Sequence, residues 1–335
     1  MPRLPRSLLA SAAALVLTGP AAAAVPAGET IVSALAGPPK PSFLARIRAG
    51  EMGGVILTHS WTPAEFAATT AKLHVAGCAI GRPLLIFVDQ EGGAIRRLTW
   101  AAPWDSEAEL GRLGATQTER EATAAATTLR NAGVDVDLAP VADTLGPGGF
   151  LGDRSFGSKP SLVGQLAAIF VRSVQAGGVA ATAKHFPGLG AAKKSTDDAL
   201  VTVQTTPLAP FKSAIAAGAK LVMVSNASYP KLDPSGTPAV FSHAIVTGLL
   251  RGTLGFRGAV VTDALNAPAP YRTPDAPGRA LAAGADLLLY TSSYYAHYGY
   301  EELAADAQRS AAVRAQLVRA DAHIRALEAW LGQTC

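Results

Sequence analysis

Eight short apolar runs set the frame of this chain: Thr30–Ala36, Gly54–Thr58, Leu84–Val88, Val134–Ala139, Val179–Ala183, Leu221–Val224, Ala259–Thr262 and Asp286–Tyr290. They have strand length, and their apolar residues run on instead of alternating with polar ones. A strand apolar on both faces has to be covered on both faces, which is the pattern of a parallel sheet. Alanine-, leucine- and arginine-rich stretches of helical length lie between them, and several carry start signals. Thr62-Pro63-Ala64-Glu65 combines a capping threonine, a proline at the first helical position and a glutamate at the third. Ser106 with Glu109 repeats the capping pattern, Thr206-Pro207 offers another cap-plus-proline start, and a last helix from about Glu301 to Leu331 stops at Gly332. Eight strand–helix units predict a single-domain, TIM-like (β/α)8 barrel of the α/β class. An open dinucleotide-binding sheet would want G-x-G-x-x-G after its first strand, where Gly37-Pro38-Pro39 stands instead.

The first 24 residues read differently. Arg3 and Arg6 form a basic start, Leu8 to Leu17 an apolar run too short to span a bilayer comfortably, and Ala22-Ala23-Ala24 a small-residue cleavage site. A removed secretory signal over 1–24 is expected, with the barrel domain over 25–335, a secreted or extracytoplasmic location and no integral membrane segment left after removal. Loss of Arg3 and Arg6 lowers the net charge from +4 to +2, and no lysine/arginine run suggests nucleic acid. Cys78 and Cys335 are the only cysteines. In an oxidising compartment they can pair, and two free thiols fit the sequence equally well.

In a barrel the active site forms where the strands end. The chain's unusual polar residues fall there: Asp89-Gln90-Glu91 and Arg96-Arg97 after the third run, Asp143 and then Asp153-Arg154 after the fourth, Lys184-His185 after the fifth, Ser225-Asn226 after the sixth and Asp263 after the seventh. Any one of them has a plain structural explanation. Charges crowded on one rim pay for desolvation and repulsion unless something uses them. Carboxylates, arginines, a lysine and a histidine around one cup suit the hydroxyls of a sugar. No Cys/His cluster or H-E-x-x-H helix suggests a metal, no G-x-S-x-G turn suggests a serine hydrolase, and no cofactor is called for.

Four segments, Asp89-Gln90-Glu91-Gly92-Gly93, Asp153-Arg154-Ser155-Phe156-Gly157-Ser158, Lys184-His185-Phe186-Pro187-Gly188 and Thr262-Asp263, resemble in order and spacing the motifs of glycoside hydrolase family 3, above all its single-domain β-N-acetylhexosaminidase branch. The resemblance spans about Glu29 to Leu331. It implies a retaining mechanism on terminal β-linked N-acetylglucosamine, with peptidoglycan fragments or chitin-type oligosaccharides as sources and a carbohydrate as the partner. A monomer is the expected state. By the same resemblance Asp263 is the nucleophile, and Asp89, Arg97, Arg154, Lys184 and His185 hold the sugar.

The chain departs from that branch on the loop after Gly188. An Asp-Ser-His triplet, whose histidine is the acid/base, is replaced by Ser195-Thr196-Asp197, and no histidine lies on the loop. Leu189 and Asn226 also stand where histidines are common, and Ala264 stands where an acidic neighbour of the nucleophile is usual. Asp197, with Asp198 second, is the candidate acid/base. An aspartate near its ordinary pKa of about 4 needs raising to serve as an acid at neutral pH. A barrel that binds sugar with impaired turnover is the alternative, as is a solvated loop tip at Asp197-Asp198. Transfer to phosphate is disfavoured by the paired aspartates.

Overall fold

The computed structural model describes residues 27–204 and 206–335; the expected signal segment lies outside them. Eight parallel strands form one sheet: β1 (Ile31–Leu35), β2 (Gly54–Leu57), β3 (Leu85–Val88), β6 (Val136–Asp137), β7 (Ala180–Phe186), β8 (Leu221–Val224), β9 (Ala259–Thr262) and β10 (Leu288–Tyr290). Their order is β10-β1-β2-β3-β6-β7-β8-β9, and a parallel bridge from Val261 to Leu287 joins the two edges into a barrel. The expected TIM-like fold is therefore found, each strand falling within its apolar run except β7, which continues to Phe186. Outside the barrel, β4 (Gln90–Gly92) and β5 (Ile95–Arg96) form a short antiparallel hairpin. Its residues are too polar and too few to leave an apolar run in the sequence.

Two cores explain the unbroken apolar strands. Val32, Ile56, Phe87, Val136, Met223, Val261 and Leu289 fill the barrel interior, while Val55, Ile86, Val222, Val260 and Leu288 face the surrounding helices. Successive strand residues point to opposite faces, and here both faces are dry. Gly54 opens β2 because a Cβ there would meet the Phe87 ring at 2.7 Å. Truncating the fully buried Phe87 to alanine should cost about 3–5 kcal/mol.

Three start signals have different outcomes. Thr62 and Glu65 make the full reciprocal capping box on helix Pro63–Cys78, and Ser106 accepts from Glu109 N at 3.2 Å on helix Glu107–Leu113. Thr206 caps nothing: helix Ala209–Ala216 begins after it, and its hydroxyl donates to the Pro187 carbonyl across the loop. Gly188 makes that approach possible, with φ of 134° and no room for a Cβ beside Thr206 Oγ1. The single last helix is in fact two, Ser293–Arg309 and Ala311–Leu331, divided at Ser310, whose hydroxyl caps Val313 N.

The second of these helices crosses the end of the barrel where the strands begin, adding Ile324, Leu327 and Leu331 to the interior core. Arg82 joins Glu29, just before β1, to Asp321 of that helix, and Asp286, just before β10, binds Arg251 at 2.5 Å and His323 at 2.9 Å. A disulfide between Cys78 and Cys335, Cα atoms 5.1 Å apart, ties the C-terminus to the helix before β3. Of the two cysteine readings the paired one holds.

Candidate active site

At the opposite end the strand termini surround a solvent-open pocket of about 210 Å³. Asp89, Arg97, Arg154, Lys184, His185, Asp197 and Asp263 all line it. Asp198, next to Asp197, is exposed and does not. The turn separates the neighbours: the amides of Asp198 and Ala199 both donate to the Ser195 carbonyl, and Asp197 N donates to Ser195 Oγ at 3.1 Å.

The floor is an ion-pair cluster. Lys184, 2% exposed, reaches Asp89 at 2.8 Å and Glu91 at 2.6 Å. Arg154 grips Glu91 with two parallel bonds, Nε at 2.8 Å and Nη2 at 2.7 Å, the bidentate geometry that fixes a guanidinium most firmly. Arg97 approaches Asp89 only to 3.9 Å. Burial pushes the Glu91 carboxyl up, but Lys184 and Arg154 outweigh it and bring its pKa to about 2. Desolvation works against the Lys184 ammonium in the same way, and Asp89 and Glu91 reverse it, so its pKa is raised. Two carboxylates face three bases here, a positive surplus at the pocket floor.

Glu91 and Asp143 stand among the polar residues at the strand ends, but the sequence assigns them no role. The pairing of Glu91 with Lys184 and Arg154 joins residues 93 and 63 positions away. Gln90 sets its direction: buried, it receives Leu98 N on Oε1 and reaches the carbonyls of Leu98, Ala101 and Ala102, fixing the loop after β3. Asp143, wholly buried, accepts from His185 N at 3.1 Å and Leu189 N at 2.5 Å and meets His185 Nδ1 at 2.8 Å. With Nδ1 held by the carboxylate, Nε2 is the ring nitrogen left to meet a ligand.

Local irregularity in β7 supplies the side chains. Its pairing with β8 shifts register between Ala183 and Phe186, and such a shift re-aims a strand's side chains. Lys184 and His185, neighbours that a regular strand would send to opposite faces, both line the pocket. Arg154 comes from a one-turn helix, Gly152–Arg154, anchored by Ser155 Oγ on the Asp143 carbonyl at 2.7 Å. Asp263 follows β9, with its amide on the Val224 carbonyl and its Oδ1 receiving Ala264 N at 2.8 Å. Asn226 steadies the same turn through Nδ2 on the Ala264 carbonyl. Thr196 Oγ1 lies 3.4 Å from Asp263 Oδ2. The Asp197 carboxyl is raised above its ordinary value, first by partial removal from water and next by the charge of Asp263; the charge of His185 lowers it in part. Chemically, the pocket offers an oriented carboxylate at Asp263, a second carboxyl able to hold a proton at Asp197, and a ring of fixed donors and acceptors. Among the described residues no three His, Cys, Asp or Glu side chains gather as metal ligands.

Residues 36–327 match the glycosyl hydrolase family 3 N-terminal domain. A β-hexosaminidase of Stenotrophomonas maltophilia is 37% identical over 230 residues, 63% of this chain and 68% of its own. An uncharacterized secreted glycosyl hydrolase of Arthroderma benhamiae is 34% identical over 73% of this chain and 74% of its own. Among solved structures, a family 3 β-N-acetylglucosaminidase from a Paenibacillus species superposes with a TM-score of 0.86 at 31% identity, covering 93% of this chain, which spans 63% of that longer protein. A β-N-acetylhexosaminidase from Beutenbergia cavernae gives 0.85 at 30% identity, with 91% of this chain and 98% of that one aligned.

Proposed function

The chain belongs to glycosyl hydrolase family 3, and from that premise we propose that it is an exported, retaining glycosidase of the β-N-acetylhexosaminidase type. It removes terminal β-linked N-acetylglucosamine from cell-wall or chitin-type oligosaccharides. Asp263 attacks the anomeric carbon while Asp197, in its acid form, gives its proton to the departing glycosidic oxygen. Water then enters, Asp197 takes a proton from it, and the Asp263 ester is released. Asp89, Arg97 and His185 Nε2 meet the sugar hydroxyls.

The observation that carries the reading is that Asp263 and Asp197 line one pocket, above charged groups already paired with each other. Glu91, Lys184, Arg154 and Asp143 are held by partners, which leaves these two carboxyls for the two roles a retaining hydrolysis requires. The raised Asp197 carboxyl suits the acid role. For export, the support is the basic and apolar start of the chain together with a relative described as secreted.

The test is release of the chromophore from a nitrophenyl β-N-acetylglucosaminide by the wild type, compared with Asp197→Ala. Loss of general-acid help should lower kcat/KM by about 100-fold or more. A dinitrophenyl leaving group, which departs without a proton, should recover most of the glycosylation rate. Equal rates for Asp197→Ala and the wild type on the poorer leaving group would end the claim for Asp197. The exposed position of Asp197, on a loop without histidine, also favours a second reading: a sugar-binding barrel with impaired turnover. That reading predicts wild-type cleavage of dinitrophenyl substrates alone.

A further inference from the structure

Five of the chain's seven tyrosines lie between positions 290 and 300, directly after the last barrel strand. The structure gathers Tyr294, Tyr295 and Tyr298, from the first turns of helix Ser293–Arg309, against Tyr271 from the segment after β9. Ring centroids are 4.7 Å apart for Tyr294–Tyr298, 5.3 Å for Tyr294–Tyr295 and 5.4 Å for Tyr271–Tyr295, all edge-on. Isolated apolar rings at a surface are ordinary. Here Tyr271 is 62%, Tyr294 61% and Tyr298 51% exposed, in contact through Tyr295, so the rings make one platform.

The platform borders an open cleft of about 230 Å³ whose other wall is the segment from Leu265 to Pro277. Four prolines, Pro268, Pro270, Pro274 and Pro277, stiffen that wall, so little order has to be gained on binding. The cleft adjoins the catalytic pocket. Asn266 lines the cleft and Thr291 lines the pocket, and the two are bonded to each other, Thr291 N to Asn266 Oδ1 at 2.8 Å and Asn266 Nδ2 to Thr291 Oγ1 at 2.9 Å.

We infer that this tyrosine platform is a second carbohydrate site, which holds further pyranose rings of a glycan chain whose end occupies the catalytic pocket. The inference rests on the glycosidase reading for the identity of the occupant. The chemistry matches a sugar more closely than an apolar protein surface. A pyranose ring has a face of C–H bonds, which a phenol ring covers through dispersion and its negative face, and a rim of hydroxyls. Tyrosine hydroxyls and the Glu302 carboxylate, also in the cleft, supply partners for that rim. Two carboxylates, Asp275 and Glu302, line the cleft, and such charges are depleted at the buried centre of a protein–protein contact.

The experiment separates this site from the catalytic one. Retention of the protein on insoluble chitin and on purified peptidoglycan is measured for the wild type, for Tyr294→Ala/Tyr298→Ala and for Tyr294→Trp/Tyr298→Trp, beside kcat/KM on a nitrophenyl monosaccharide. Both substituted rings are exposed, and an unchanged Tm checks that the fold is intact. Two lost stacking contacts should weaken retention on at least one polymer by about tenfold. Tryptophan should preserve it, and the monosaccharide rate should stay within about twofold. Unchanged retention in the alanine variant, or no retention of the wild type on either polymer, overturns the platform and leaves the glycosidase reading standing. Tyrosine-dependent retention by a protein that cleaves no glycoside supports the platform and counts against the glycosidase reading.

Discussion

The two ends of the barrel are built from the same kinds of charged residue and leave them in different states. Where the strands begin, Glu29, Asp286 and Asp321 are each matched to an arginine or histidine, under a helix and beside a disulfide. Asp286 has no exposed surface and also receives Val260 N. Where the strands end, Glu91, Lys184, Arg154 and Asp143 are held as tightly, but the pocket above them stays open, and among the described residues Asp197 and Asp263 face it without a basic partner within ion-pair distance. A charge at a strand terminus is therefore no sign of function in itself. What distinguishes the open end is a paired layer that fixes geometry and, above it, groups whose hydrogen-bonding capacity is left unused by the protein.

The comparison predicts that substitutions at the two ends fail in different ways. Asp263→Asn should lower kcat by a thousandfold or more, about 4 kcal/mol or beyond, with a Tm close to that of the wild type. A variant that keeps a tenth of the activity would remove Asp263 from the chemistry. Asp286→Ala should do the opposite. It strands Arg251 and His323 and costs about 3 kcal/mol of stability in urea unfolding, while the folded protein keeps its kcat. A fall in kcat at unchanged stability would undo the division between the ends.

Cys78→Ser/Cys335→Ser should cost about 2–3 kcal/mol, again without effect on kcat, because the bond restrains only the unfolded chain and the C-terminus. A larger loss of activity than of stability would show that the closed end communicates with the open one. The last effect concerns acid. Glu91 is depressed from 4.5 to about 2 in the folded state, so its stabilisation is present above about pH 4.5 and drains away as pH falls towards 2. Glu91→Gln should remove that part of the pH slope in urea midpoints measured across this window. An unchanged slope would mean that the pocket floor does not depend on its charge.

Much of this was legible in the sequence because parallel strands wetted on neither face have to be apolar throughout. All eight barrel strands announced themselves in that way, and Asp89, Arg97, Arg154, Lys184, His185, Asp197 and Asp263 could be gathered at one mouth once the runs were counted. The β4–β5 hairpin was not legible, since Gln90 holds its loop through carbonyls that no residue type specifies. Nor were the roles of Glu91 and Asp143, which depend on partners far along the chain. Asp198 looked equivalent to Asp197 because a turn sends neighbours in different directions without altering composition. Ser310 split a helix whose alanine-rich pattern runs on across it, and the tyrosine platform needed Tyr271 brought beside a helix that begins 22 residues later.

The central claim is that the Asp263 carboxylate forms a bond to the sugar. A fluorinated N-acetylglucosaminyl fluoride, which is attacked quickly and released slowly, tests it most directly. Mass spectrometry of the digested protein should find one equivalent of sugar on the peptide that contains Asp263, appearing as activity is lost. A sugar on any other residue, or inactivation-free turnover of the reagent with inversion at the anomeric carbon, would contradict it.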